Sequence, residues 1–346
     1  MLKTNFFSVL HKIAFGLFSI SFFSNSSAFS QEAYDEYHTP ECTSDNKNRT
    51  IPPSPDMVSR DYEWFDDCHH AHTCGAEGVW LPEGPPLFRP FVADPRAVTY
   101  SIGWRFDDQA LVKNVIDVSY GDSLPIYQWF NVWPFNAKMR IELEGALWAV
   151  FSPCQESSPL INADYYCGIP ITFSFDRWAF RCRFFHISSH VGDEFLINHW
   201  HKSFKGERFC RFNPSAEYLD FYVSYDLTDD IRAYGGVGVI VHQDESFKFG
   251  RFYAETGMEL HLRELGYYDD CNSLYGMPFY GMDFRYRRDF KHHIDSTYVL
   301  GYEWGKTYGL CRVVRVYMEY HDGYSAEGQF CHQATNYFSI RASYGF

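Results

Sequence analysis

Few positions in this sequence combine residue types and spacing in a way that suggests chemistry, and His186 and Ser188 are the foremost. They lie in Trp178-Ala-Phe-Arg-Cys-Arg-Phe-Phe-His-Ile-Ser-Ser-His190, where Trp178, Phe180, Cys182, Phe184, His186, Ser188 and His190 share one parity and Arg181 and Arg183 the other. In a strand, residues two apart point to the same side. An imidazole there can take the proton of a hydroxyl two positions on, and serine needs such a base because its hydroxyl alone is a weak nucleophile. A third group must orient the imidazole, and nearby candidates are Asp193, Glu194, Asn198 and Asn213. The plain alternative is that His186, Ser188 and His190 mark where a membrane strand emerges into polar surroundings.

A second cluster is Cys68-His69-His70-Ala71-His72-Thr73-Cys74, whose sulfur and imidazole donors suit zinc or copper. The spacing is not that of a standard zinc site, and a disulfide from Cys68 to Cys74 or further afield is the competing expectation. The pairs Asp107-Asp108, Asp229-Asp230 and Asp269-Asp270 could attract calcium but read as solvated turns. Gly235-Gly236-Val237-Gly238 lacks the helix that a phosphate loop requires, and signals strand bending or close packing instead. No cofactor motif is present, and calcium is the ion to expect should His186 and Ser188 form a hydrolase.

These residues must be positioned by strands. Aromatic residues make up 20% of the 346-residue chain, yet mean hydropathy is −0.34, so apolar side chains must alternate with polar ones. From Ala97 onward the chain runs in alternating segments of about ten residues separated by Gly, Asp, Asn or Pro, the pattern of a transmembrane barrel. The last segment is clearest: Phe338, Ile340, Ala342, Tyr344 and Phe346 fall on one face, Ser339, Arg341, Ser343 and Gly345 on the other. Expected strands are Val98–Phe106, Ile141–Phe151, Ile171–Phe175, Trp178–Ser189, Tyr218–Leu227, Ile231–His242, Arg251–Leu262, Phe279–Arg287, Ser296–Trp304, Cys311–Tyr320 and Thr335–Phe346. Val112–Trp133 is ambiguous and could hold two more. A barrel over 96–346 accommodates about 12 antiparallel strands, a narrow lumen filled by inward Arg181, Arg183, Glu303, Arg315, Glu319 and Arg341. A soluble secreted β-sandwich is the rival fold. Cys154–Gly168 and Asn198–Pro214 are expected to be long outer loops.

Residues 1–30 read as a secretory signal, with Lys3 and Lys12 as the positive region, Ile13–Phe23 as the apolar stretch and Ala28-Phe29-Ser30 as the cleavage site. Residues 31–95 form an irregular Cys-, His- and Pro-rich segment ahead of the barrel, expected in the periplasm. All ten cysteines follow Ser30, so an oxidising compartment and disulfides are expected, some of them to other envelope proteins. Lys plus Arg total 30 against 44 Asp plus Glu, a net charge of −14, which excludes a chain-wide nucleic-acid footprint.

Three resemblances sharpen these expectations. The closing Tyr344 and Phe346 of an amphipathic strand resemble the carboxy-terminal signal that outer-membrane barrels present to their insertion machinery. His186-x-Ser188 on an outward face is similar to the catalytic arrangement of outer-membrane phospholipase A and lipid A deacylase barrels. That similarity implies His186 as general base and Ser188 as nucleophile, although the position where those families carry an Asn or acidic partner is Trp200 here. Finally, Phe88-Arg-Pro-Phe-Val-Ala-Asp-Pro-Arg96, His186–Glu194 and Arg211–Glu217 together resemble an uncharacterised family of chlamydial outer-membrane proteins, covering most of residues 85–346. This implies an outer-membrane location with envelope disulfides and names no reaction. The leading functional expectation is envelope structure or narrow solute passage. A lipid acyl hydrolase using His186 and Ser188 is the alternative, and a surface adhesin acting through its loops is the third.

Overall fold

A computed structural model describes residues 77–155, 157–199, 203–204, 207–208, 212–246, 248–268, 274–290, 294–305 and 312–346. The expected signal segment 1–30 and the Cys68–Cys74 cluster lie outside these residues.

Twelve antiparallel strands form a closed barrel: β1 (Tyr100–Phe106), β2 (Asn114–Val132), β3 (Ala137–Phe151), β4 (Leu160–Phe175), β5 (Trp178–Val191), β6 (Ser215–Asp226), β7 (Ile231–Gln243), β8 (Phe252–His261), β9 (Leu274–Arg287), β10 (Asp295–Gly305), β11 (Val313–Tyr324) and β12 (Ala334–Gly345). Closure is made by β12 against β1, in a register running from Phe338 opposite Phe106 to Tyr344 opposite Tyr100. The short strand Gly78–Trp80 pairs with Tyr127–Trp129 of β2.

Alternation sorts the side chains as expected. On β12, Phe338 and Ile340 are exposed outward while Ser339 and Arg341 are buried inside. The outer wall carries Leu143, Ile169, Phe184, Leu219, Val239, Leu300, Val316 and Ile340, all exposed. An apolar surface spread over so many strands is stable only against another apolar phase. At the end with the shorter turns, Phe173, Phe175, Trp178, Phe180 and Tyr225 touch one another in an aromatic band, as interfacial girdles do.

The lumen is filled with paired charge, as expected. Arg183 meets Asp220 at 2.7 Å, Arg315 meets Glu303 at 2.8 Å, and Arg341 meets Glu319 at 3.2 Å and Asp117 at 2.6 Å. Arg181 instead stacks over Phe88 and Tyr222, 4.8 and 4.9 Å from their ring centroids.

Residues 85–96 form a strap inside the barrel. Arg140 donates to the Pro85 carbonyl at 2.9 Å, Arg89 pairs with Asp226 at 2.8 Å, the Val92 amide donates to Glu259 at 2.9 Å, and Arg285 pairs with Asp94 at 2.7 Å. Phe91 stacks on Tyr234 and is buried. At the other end the connection Ser325–Gln333 folds inward. Its Glu327 accepts from Arg105 at 2.9 Å, and Phe330 joins Leu111, Val115, Ile161 and Phe195 in an apolar cluster. Between strap and cap lies a cavity of about 150 Å³, bordered by Arg96, Tyr166, Arg287 and Cys331.

Two expectations about the elements need correction. Residues 160–168 belong to β4 and are not loop: Asn162 and Asp164 are luminal, so their polarity reflects the filled interior. Val112–Trp133 gives one long strand, its Pro125 accommodated at a register shift, where a residue lacking an N–H is tolerated. Gly236 and Gly238 of β7 are close-packed as expected, a Cβ on Gly238 lying 2.1 Å from the Tyr253 ring, whereas Gly235 has ordinary contacts.

Candidate active site

His186 and Ser188 stand on the outward face of β5, near the barrel end that carries the longer connections. The flanking strands decide what surrounds them. On one side, Cys167 of β4 lies opposite His186 and Tyr165 opposite Ser188. On the other side, Glu217 of β6 lies opposite His186 and Ser215 opposite Ser188. A second neighbour follows on β7, where His242 lies opposite Glu217.

This register produces hydrogen bonds. His186 Nδ1 is 3.0 Å from Glu217 Oε1, and His242 Nδ1 is 2.7 Å from Glu217 Oε2. One carboxylate therefore takes an imidazole on each oxygen. A neutral His186 that donates through Nδ1 keeps Nε2 as its basic nitrogen, the tautomer a general base requires. Among the described residues neither Nε2 of His186 nor the Ser188 hydroxyl has a hydrogen-bond partner. Contacts of this kind commonly tighten only when substrate is bound.

His242 reaches this face through a bulge. Along β7 the side chains alternate, with Val237, Val239 and Val241 exposed and Gly238 and Ile240 buried. Strict alternation would send His242 inward. The register shifts between Ile240 and His242, and both Val241 and His242 end up outward. Re-aiming a side chain is a common use of a bulge.

The other expected partners are elsewhere. Asp193 is exposed in the first turn of a short helix, Asp193–His199, and Asn213 donates to Asp244 at 3.0 Å on the rim. Neither is hydrogen-bonded to His186, and the carboxylate that is hydrogen-bonded to it is Glu217. It has the outward parity of Leu219, Phe221 and Val223, a carboxylate on an otherwise apolar face, and that was the available signal. Tyr344 pairs with Tyr100 where the barrel closes, and Phe346 sits beneath Arg312, 4.9 Å from ring centroid to guanidinium.

Among the described residues, no group of three or more His, Cys, Asp or Glu side chains is placed to hold a metal ion. Cys154, Cys167, Cys182 and Cys331 are unpaired; Cys167 and Cys182 face outward. Cys331 is buried, which pushes its thiol up to about 12.

Solved structures similar to this chain are barrels of the outer membrane. A Salmonella typhi outer membrane phospholipase dimer with bound calcium is 12% identical, with 71% of this chain and 89% of that chain covered and a TM-score of 0.49. Outer membrane phospholipase A from Escherichia coli is 12% identical over 71% of this chain and 91% of that one, at 0.47. The translocator domain of the autotransporter NalP from Neisseria meningitidis is 9% identical over 72% and 85%, at 0.35. No curated protein matches. Residues 45–346 match the family model described as "Protein of unknown function (DUF1207)", and the chain belongs to that family.

Proposed function

We propose that this barrel resides in an outer membrane and hydrolyses ester-linked acyl chains of lipid from its outer wall. The observation that carries this reading is the Glu217 carboxylate 3.0 Å from His186 Nδ1. It supplies the orienting group that makes His186 a directed base for Ser188. The apolar wall around the row supports a lipid substrate, since any molecule approaching Ser188 from that side comes out of the acyl phase.

In this mechanism Glu217 fixes the His186 tautomer and balances the imidazolium that forms. His186 Nε2 takes the Ser188 proton while the hydroxyl oxygen attacks the ester carbonyl, and then returns it to the departing alcohol. Water, activated by the same imidazole, releases the fatty acid from Ser188. The barrel ends differ: β4 and β5 are joined by only Asp176 and Arg177, whereas 192–214 connect β5 to β6. Short turns belong on the periplasmic side, so the row lies in the outer leaflet.

The test is fatty-acid release from labelled phospholipid and from lipid A by refolded protein, with and without calcium. Ser188→Ala and His186→Ala should abolish release while the barrel remains folded, and release unaffected by both would end the reading.

A second reading, an envelope barrel without an enzymatic role, is favoured by the strap and cap that occupy the lumen. The same occupation argues against solute passage, and a barrel that folds yet cleaves neither lipid would leave the structural role standing.

A further inference from the structure

Glu217 is the only carboxylate among the described residues that joins two imidazoles, and the bulge in β7 exists at the one place where it brings the second of them outward. The two histidines differ in environment: the His186 side chain is 40% exposed and that of His242 76%, with Glu217 between them at 31%. His242 cannot reach the Ser188 hydroxyl's proton, because Glu217 and β6 intervene. Its effect on any reaction at Ser188 must pass through the carboxylate.

We propose that His242 is a positioning residue that shares Glu217 with His186 and thereby sets the lower pH limit at which His186 works as a base. This rests on the hydrolase reading for its consequence, though not for its chemistry. With both imidazoles neutral, each donates through Nδ1 to one oxygen of Glu217, and His186 feels the full carboxylate charge. When His242 takes a proton, its charge offsets that of Glu217. A proton on His186 is then held less tightly, so His186 stays neutral to lower pH, but its imidazolium is also less well supported when Ser188 gives up its proton.

Other charged or titratable groups around the row are few. Cys167 faces His186 from β4, His190 lies two positions beyond Ser188 on β5, and Asp244 and Arg251 lie on the rim beyond His242. Asp244 is engaged with Asn213 and Ser246. None of these touches Glu217, so the variable charge on that carboxylate is the one at position 242.

A charge series at 242 tests the idea. Native protein, His242→Asn and His242→Lys, each verified as folded by heat-modifiable gel migration, are compared by the pH dependence of kcat/KM on an ester phospholipid in mixed micelles. The same three proteins carrying ring-labelled histidine are titrated by NMR. The expected order of the acid-limb midpoint is Lys below native below Asn. Each step should be a few tenths of a pH unit, the size a single charge exerts across two strand spacings at the protein–water boundary. The plateau rate of the Lys variant should be lower, because its charge permanently offsets Glu217. A merely structural role for His242 would change rates and leave the midpoints aligned. Coincident midpoints for His186 by NMR overturn the proposal. Hydrolysis that needs Ser188 but shows three coincident midpoints overturns it while leaving the hydrolase standing. Ordered NMR midpoints in a barrel that hydrolyses nothing would sustain the shared carboxylate and remove the proposed function.

Discussion

On the proposed reading, a single hydrogen bond turns a pair of suggestive residues into a directed base. The shared outward parity of His186 and Ser188 was legible in the sequence, but Glu217 was not found by searching forward from the histidine. The connection 192–214 stands between β5 and β6, so a residue directly opposite in space is far away in sequence. Glu217→Gln keeps the shape and removes the charge, and fatty-acid release should fall on the order of 100-fold or more in kcat with KM little changed. A drop confined to KM would assign Glu217 to lipid binding instead. A second residue-scale expectation concerns Glu327, in the cap. Burial would raise its carboxyl, but Arg105 and Arg96 beside it hold it at about 2. A carboxyl depressed in the folded state stabilises above its unfolded value and loses that contribution as pH falls toward its folded one. The stabilisation should therefore be present at neutral pH and fade from roughly pH 5 to pH 2, with an upper bound of about 3 kcal/mol. Urea unfolding in vesicles at pH 7 and pH 3 should show native protein and Glu327→Gln converging at the lower pH. A constant gap would place the effect in packing.

At the scale of elements, the bulge in β7 is the feature that the sequence pattern hides most completely. Alternation extrapolated from Val237, Val239 and Val241 assigns His242 to the lumen, and only the paired strand reveals the extra residue. Deleting Val241 removes the extra residue and places His242 directly after the inward Ile240, so strict alternation then carries His242 outward, still opposite Glu217. The acid limb of hydrolysis should stay at its native position, whereas a limb moved up as in His242→Asn would show that the bulge itself is needed to hold His242 on Glu217. The strands themselves were largely legible because lipid outside and polar residues inside force a period of two. β4 was cut short since Asn162, Asp164, Gly168 and Pro170 resemble a turn unless a charged lumen is known to receive them. β2 was ambiguous for a similar reason, since Gly121-Asp122-Ser123 and Pro125 interrupt its pattern.

For the molecule as a whole, the strand number followed from chain length, but the occupied lumen did not. Phe88 to Arg96 reads as an irregular Pro-containing run, and its partners Asp226, Glu259, Arg285 and Asp164 lie far along the chain. A barrel with strap and cap in place should be electrically silent in planar bilayers. Combining Phe88→Ala, Phe91→Ala and Asp94→Ala removes two aromatic fillers and one luminal ion pair, and discrete openings should appear. Nanosiemens conductance in the native protein would contradict the filled lumen.

The row Ser188, His186, Glu217 and His242 opens only sideways, with the lumen behind it occupied. On the proposed reading the substrate arrives by lateral diffusion, never from the aqueous phases above or below. Turnover is then governed by a two-dimensional concentration, the mole fraction of cleavable lipid in the surrounding annulus. Adding more vesicles of the same composition leaves that quantity untouched, whereas mixing ether lipids into the bilayer lowers it. The surface that holds the barrel in place is, in that sense, also its reservoir of substrate.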